Sequence, residues 1–397
     1  MNNLPFYIAK GIKENGYNVT FLVDVNKFFL LDRPESWSNE FANNYPIWIK
    51  EWPLAIAGRA IKFAFPNWFF RKRIAYLNKF DIIVLNGHWI SLGAYLREEK
   101  KIINIFAGYD LDVLANYKSL PTFVASFKKS GNILSKILPS SIATLLFKKL
   151  ISHQQKGIKR AQLVNYFPTG IVPQADELLN QIKANQQYQR LELRGFDCNK
   201  FPYMAPLTKT KPFRILNITR FFFLNDRSSN KKNDIMIKGI SQFIKQNQLT
   251  NSDVEITFFE KGEDVLAAKE LCNQLELSSF IKWKSQVPVE GLINYFSNCD
   301  VAFDQLGKQW VGAGLFSMLI GRPLIANGRP EIIDKITKEK SPICQAQNEQ
   351  EVANWLTLLY NNRDLVKQIG LTSREYVVKH YDLQNTINYF TNFFEKE

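Results

Sequence analysis

Short β-rich runs alternating with longer helical patterns constrain this chain more than any other feature of its sequence. Residues 18–24 (NVTFLVD), 81–85 (DIIVL), 101–106 (KIINIF), 213–218 (FRILNI), 254–260 (VEITFFE), 280–284 (FIKWK), 300–303 (DVAF) and 323–326 (PLIA) read as strands. Most gaps between them are long enough for a helix, and strand, helix, strand repeated in this way builds parallel sheets from right-handed crossovers. With 397 residues, two such domains can each bury a core. The Lys- and Thr-rich stretch 201–212, which contains prolines, separates the two series and reads as the linker. The expected fold class is therefore α/β, two doubly wound Rossmann-like domains facing a cleft, with ligands at the carboxyl edges of the strands.

The start of the chain is irregular. Residues 4–15 read as the first helix of a strand-helix unit, followed by Gly16 and the strand at 18–24, yet no strand precedes that helix. Either the polypeptide begins upstream of Met1 or this domain is assembled unusually. The first is the expectation, so the first strand of the N-terminal domain is expected to be missing.

Composition narrows the class. The chain is 46% hydrophobic, 22% charged and 14% aromatic, which excludes disordered and fibrous proteins. No stretch approaches the roughly 18 uncharged apolar residues of a membrane span, and residues 1–5 lack the order of a signal peptide. Cys198, Cys272, Cys299 and Cys344 lie far apart, and His88, His153 and His380 do not stand at metal-ligand spacing from them. A reducing compartment with no structural zinc and no disulfide frame is expected, the cysteines being core or surface fillers.

Charge is uneven. Residues 1–200 hold 27 Lys and Arg against 15 Asp and Glu, whereas 201–397 hold 24 against 22. No acidic residue lies between Asp112 and Asp176. That stretch interleaves lysines (Lys128, Lys129, Lys136, Lys148, Lys149) with Phe127, Ile133, Leu134, Ile137, Leu138, Ile142, Leu145 and Leu146, and residues 65–73 (FPNWFFRKR) add an aromatic and basic cluster. Basic amphipathic segments suit an anionic bilayer surface, although core-facing apolar positions with solvated lysines give the same pattern. Nucleic acid is not expected as a partner, because no helix-turn-helix, zinc or RNP-like signature accompanies the charge.

The second half carries the most informative order of motifs. A strand ends in Ile218-Thr219-Arg220, a polar insertion (225–230) follows, and Lys231-Lys232 opens a helix. An arginine after a strand and a lysine at the next helix start can both face an anion site at a sheet edge. Later, Asp304-Gln305-Leu306-Gly307 and a glycine-containing loop (Gly312, Gly314) run into the apolar helix 315–320, and backbone amides at such a turn favour phosphate.

In this order the pieces resemble the donor-binding domain of GT-B-fold nucleotide-sugar glycosyltransferases, specifically the retaining group called family 4. The resemblance covers residues 213–330 well and 331–397 in outline. It implies a membrane-facing acceptor domain at 1–204, a nucleotide-sugar domain at 205–378, and a helix at 379–397 that crosses back to the first domain. It implies that Arg220 and either Lys231 or Lys232 hold the donor diphosphate, joined by Glu260, by Lys284 and Val287 around the nucleobase, and by Asp304, Gln305, Gly307, Gly312 and Gly314 in the donor loop. One departure stands out. The family carries two glutamates eight residues apart, and this chain has Lys308 and Phe316 there, neither of which accepts a hydrogen bond from a sugar hydroxyl as a carboxylate does.

In the first half, Asn86-Gly87-His88 and Ala107-Gly108-Tyr109-Asp110 follow strands and are expected at the cleft. His88 and Asp110 are the candidate catalytic residues, to position the acceptor hydroxyl or donor sugar or to take the acceptor proton. Residues 194–201 (RGFDCNKF) resemble the family stretch that shapes the hinge. The implied protein is a cytoplasmic transferase, peripheral at the inner face of the plasma membrane. It would move a sugar from a nucleoside-diphosphate sugar to a lipid-linked or surface-polysaccharide glycan, with no cofactor and no metal. The absent glutamates keep an alternative open: a degenerate, non-catalytic GT-B protein that binds a glycan or a partner subunit.

Overall fold

The computed structural model describes residues 4–24, 33–36, 41, 44–54, 59–130, 135, 137–192, 195–206, 211–224 and 230–395. The polar insertion at 225–229, Arg194, Ile133, Leu134, Lys136 and linker positions 207–210 lie outside the described residues.

The second half forms a six-stranded parallel sheet from β7 (Phe213–Asn217), β8 (Val254–Phe259), β9 (Ile281–Lys284), β10 (Val301–Phe303), β11 (Leu324–Ala326) and β12 (Cys344–Gln345), in the spatial order β12-β11-β10-β7-β8-β9. The chain starts in the middle at β7, moves outward to β9, then returns to the other side of β7 for β10. The order thus reverses between β7 and β10, and at such a switch point the helices leave to opposite faces and open a crevice at the carboxyl edge. β10 and β11 are apolar and buried along their length and β7 is buried at all but Arg214, as a sheet covered on both faces requires.

In the first half, β3 (Ile82–Leu85), β4 (Lys101–Ile105), β5 (Leu163–Asn165) and β6 (Gln189–Leu191) make a four-stranded parallel sheet in sequential order. A separate parallel pair joins β1 (Phe21–Val23) to β2 (Ile49–Glu51). All eight strand runs read from the sequence are present. The four that escaped notice, β2, β5, β6 and β12, are two or three residues long, too short for a period-two pattern to register.

The helix Ser140–Arg160 buries Ala143, Phe147, Leu150, Ile151, Gln154, Gly157 and Ile158 along one stripe at helical spacing. A Cβ at Gly157 would stand 1.8 Å from the Ile90 carbonyl, so only glycine lets this helix approach the loop after β3 so closely. The last helix, Leu383–Glu395, crosses back onto the first half. Its Leu383, Ile387, Phe390 and Phe393 share one core with Ile8 and Ile12 of the first helix (Leu4–Glu14) and with Ile103, Ile105 and Leu163. Phe196 braces that crossing: its amide donates to the Tyr381 carbonyl at 2.7 Å, and its carbonyl accepts from the Leu383 amide at 2.8 Å.

Candidate functional site

The carboxyl edges of the two sheets face one another. The loop after β5 reaches the helix Pro330–Thr337 after β11, where a Cβ on Gly170 would stand 3.3 Å from Ile332 Cδ1. Ile171, Val172 and Ile333 share one apolar cluster there.

On the second-half wall, the loop after β7 and the loop after β10 zip together at the switch point. The Leu306 amide donates to the Lys231 carbonyl at 3.0 Å, and a Cβ on Gly307 would stand 2.1 Å from the Asn230 carbonyl oxygen. Lys231 turns inward: its Nζ donates to Gln305 Oε1 at 2.6 Å and to Gln309 Oε1 at 3.1 Å. Burial pulls its ammonium down to about 8, with the Arg220 charge acting in the same direction and the Asp304 carboxylate against it. Lys232 behaves differently. It caps the helix Asn233–Gln246 in the left-handed conformation (φ 54°), held by a bond of 2.8 Å from its amide to Asn230 Oδ1. Neither its ammonium nor the exposed Arg220 guanidinium has a hydrogen-bond or ion-pair partner among the described residues. The structure therefore separates the two lysines that the sequence left equivalent: Lys231 is a brace and Lys232 is the available cation.

The donor loop departs from expectation. Asp304 and Gln305 are buried, and the Asp304 carboxylate accepts from the amides of Gln305 (2.7 Å), Gly312 (2.8 Å) and Gly314 (2.7 Å). The amides of Gly312 and Gly314, expected to bind phosphate, are thus taken by a carboxylate of their own chain. Gln305 Nε2 donates to the Trp310 carbonyl. Glycine at 314 is required for this approach, since a Cβ there would stand 2.8 Å from Asp304 Cβ. Of the remaining expected donor residues, Glu260 is exposed and paired with Lys269 at 2.5 Å. Lys284 is exposed at the end of β9, where its carbonyl accepts from the Glu260 amide at 2.9 Å, and Val287 packs half-buried on the core.

Phe316 does not face the cleft. Its ring is buried, 4.8 Å from Phe196 edge-to-face and 5.0 Å from Phe201 at a tilt, in an aromatic cluster joining the two halves. Lys308 is exposed, and its carbonyl accepts from Arg329.

On the first-half wall, Asp110 follows β4 at the carboxyl edge of the sheet, with its side chain turned inward. Expected at the cleft, it is 2% exposed, with Oδ1 accepting from Ala107 (3.0 Å) and Gly108 (3.1 Å) and Oδ2 from Gly87 (3.2 Å). Desolvation raises its pKa against these amide bonds. Gln154 completes the clamp by donating to the carbonyls of Gly87 (2.9 Å) and Asp110 (3.1 Å). The loops after β3 and β4 are therefore locked together through the Asp110 carboxylate and Gln154. His88, in the 3-10 turn Gly87–Tyr95, is partly exposed beside Phe63, with ring centroids 5.2 Å apart. Sequence reasoning missed Asp112, half-buried two residues on and hydrogen-bonded by the Tyr166 hydroxyl. Burial, more than the neighbouring Asp110 and Asp176, raises it to about 6. The signal was present in the pair of aspartates two apart in Gly108-Tyr-Asp-Leu-Asp112.

No family model and no curated protein sequence matches the chain. Its fold does match solved structures along nearly its whole length. Sucrose-phosphate synthase from Thermosynechococcus elongatus superposes with a TM-score of 0.61 at 12% identity, over 98% of this chain and 90% of that one. The fold is GT-B. HepE of Anabaena, solved in complex with UDP and glucose, gives 0.61 at 11% identity over 99% and 95%. WaaG, a glycosyltransferase involved in lipopolysaccharide biosynthesis, gives 0.54 at 10% over 94% and 90%. In this GT-B frame of two Rossmann-like domains, Arg220 and Lys232 stand at the switch point of the second domain, and the Asp110 clamp stands at the edge of the first.

Proposed function

We propose that this protein is a retaining glycosyltransferase that moves a sugar from a nucleoside-diphosphate donor to a lipid-linked or surface-polysaccharide acceptor. The observation that carries the reading is the pair of cations without partners among the described residues, Arg220 and Lys232, at the switch point of a GT-B fold. In this reading residues 205–378 bind the donor, residues 1–204 present the acceptor, and 379–397 link the two. As the glycosidic bond breaks, its electron pair passes to the diphosphate oxygen. Arg220 and Lys232 stabilise that charge electrostatically, without a resident metal. The acceptor oxygen bonds to the anomeric carbon and its proton leaves towards the departing phosphate, with His88 positioning the hydroxyl. Lys231, Asp304 and Gln305 hold the loop that carries these cations. The UDP complexes of HepE support a nucleotide donor. The test is thermal stabilisation of the folded protein by UDP, GDP, ADP and CMP: one nucleoside diphosphate raises Tm by several degrees, and a flat response to all four overturns the reading. A second reading, nucleotide or glycan binding without transfer, is favoured by Phe316 alone. It predicts the same stabilisation with no turnover of any donor sugar.

The acceptor is proposed to lie at the inner face of the plasma membrane. No helix among the described residues is long and apolar enough to cross a membrane. Yet Trp68 is 83% exposed, and Phe69, Ile142 and Leu145 are exposed as well. A cavity of about 1040 Å³ is lined by Arg71, Lys149 and Lys156 together with Phe65 and Trp68. Core packing accounts for the buried stripe of helix Ser140–Arg160 but leaves Ile142 and Leu145 facing outward. Aromatic side chains interleaved with cations suit the headgroup layer of anionic lipid. In liposome flotation the protein is expected to float several-fold more with vesicles containing phosphatidylglycerol than with neutral ones, and Trp68→Ser with Leu145→Ser reduces that recovery. Equal recovery with both vesicles would count against the electrostatic attraction.

A further inference from the structure

The helix Ser140–Arg160 carries a second stripe besides the one it buries. Ile142, Leu145, Lys149, Ser152, His153 and Lys156 recur every three or four residues on the side away from the core. The first two are exposed. The last four line the cavity of about 1040 Å³, whose remaining walls are Tyr95 and the segment 64–71. Three cations, Arg71, Lys149 and Lys156, therefore converge on one hollow, and no acidic residue lines it among the described residues. Lys149 Nζ stands 4.4 Å from the centre of the Phe65 ring, a seat that steadies an ammonium without supplying a counter-charge. A hydrogen bond of 2.9 Å joins the Tyr95 hydroxyl to His153 Nδ1. Burial first, and then the charges of Lys156 and Lys149, hold the His153 imidazole below its ordinary pKa. The like charges are thus felt inside the hollow, and an anion there would relieve their repulsion.

We propose that this cavity binds the phosphomonoester headgroup of an anionic membrane lipid. A phosphomonoester carries nearly two negative charges and three acceptor oxygens at neutral pH, where a phosphodiester carries a single charge and fewer free oxygens. Arg71, Lys149 and Lys156 answer the larger charge, and the Ser152 hydroxyl adds a neutral donor among them. What stands at the rim selects a lipid over a soluble ester. Trp68, itself part of the lining, is 83% exposed. Leu145 and Ile142 continue the same helix face one and two turns before Lys149 and are exposed as well. Apolar side chains leading into a cationic hollow follow the order of a lipid from its acyl chains to its phosphate. The inference rests on the membrane reading above for the source of the phosphate, and it uses no residue of the donor site. It differs from that reading in kind: a diffuse basic surface responds to charge alone, whereas a hollow discriminates between headgroups of equal total charge.

The test is flotation of the full chain against increasing lipid, with vesicles containing phosphatidic acid and vesicles containing phosphatidylglycerol at twice the mole fraction, so that surface charge is matched. Apparent affinity is expected to be roughly tenfold higher for phosphatidic acid. Ser152→Leu fills the hollow without altering charge; it removes the preference and leaves binding to phosphatidylglycerol in place. Arg71→Gln with Lys149→Gln also removes the preference. Lys72→Gln with Lys148→Gln, an equal loss of charge at exposed positions outside the lining, keeps it. Equal affinity for the two vesicles overturns the proposal while the membrane reading stands, and no flotation on either overturns both. A preference that survives Ser152→Leu places the phosphate elsewhere and overturns the site. Glycerol 3-phosphate, the soluble headgroup, is expected to compete only weakly with phosphatidic acid; a soluble ester bound as tightly as the vesicles overturns the assignment to a lipid.

Discussion

Phe316→Glu is expected to lower the melting temperature by roughly 10 °C or more and to confer no sugar binding. Phe316 is 7% exposed, with Phe196 and Phe201 within 5.0 Å by ring centroid. Arg374, the guanidinium that reaches this region, is already committed to the carbonyls of Phe201, Leu319 and Cys198. An unpaired buried carboxylate costs about 3–5 kcal/mol, and each kcal/mol is worth roughly 2–4 °C in domains of this size. Phe316→Leu keeps the site apolar and loses only a few degrees. Differential scanning calorimetry of the two variants decides the matter. A Phe316→Glu variant as stable as the parent would show that the side chain at this position turns to the cleft after all.

Removing the two available cations has the opposite signature. Arg220→Ala with Lys232→Ala weakens nucleoside-diphosphate binding by roughly 10²-fold or more, since each charged hydrogen bond contributes about 1.5–3 kcal/mol. The unliganded variant melts within about 1 °C of the parent, because neither side chain has a partner among the described residues to lose. Lys231→Ala, by contrast, strips Gln305 and Gln309 of a shared donor and lowers Tm as well. Titration calorimetry with the nucleotide that stabilises the parent reads all three. Undiminished affinity in the double variant removes the diphosphate from this crevice.

The sequence made the strands and the placement of Arg220 legible because both depend on local pattern: a period-two apolar run, and the first charged residue after it. What it hid depends on partners distant in the chain. Nothing in Gly312-Ala-Gly314 says that its amides face a carboxylate eight and ten residues back instead of solvent. Asp110 looked like a cleft residue because its loop lies at the sheet edge, but its side chain folds back onto Gly87, which belongs to the preceding strand's loop. Lys231 and Lys232 are told apart by the bonds of Lys231 to Gln305 and Gln309, more than seventy residues on, and by the left-handed backbone at 232, a conformation that no residue-type rule assigns to lysine. Phe316 was visible as a departure, but its reason required the two aromatic rings contributed by residues 196 and 201.

The Phe196 brace has a mechanical consequence. The chain crosses between the halves on either side of residues 201–212 and again at Tyr381–Leu383, and Phe196 ties the second crossing to the start of the first through a pair of backbone bonds. With Phe316 wedged against the same residue, both crossings share one axle. A displacement of either crossing is therefore passed to the other through Phe196, and the two cannot be loosened separately.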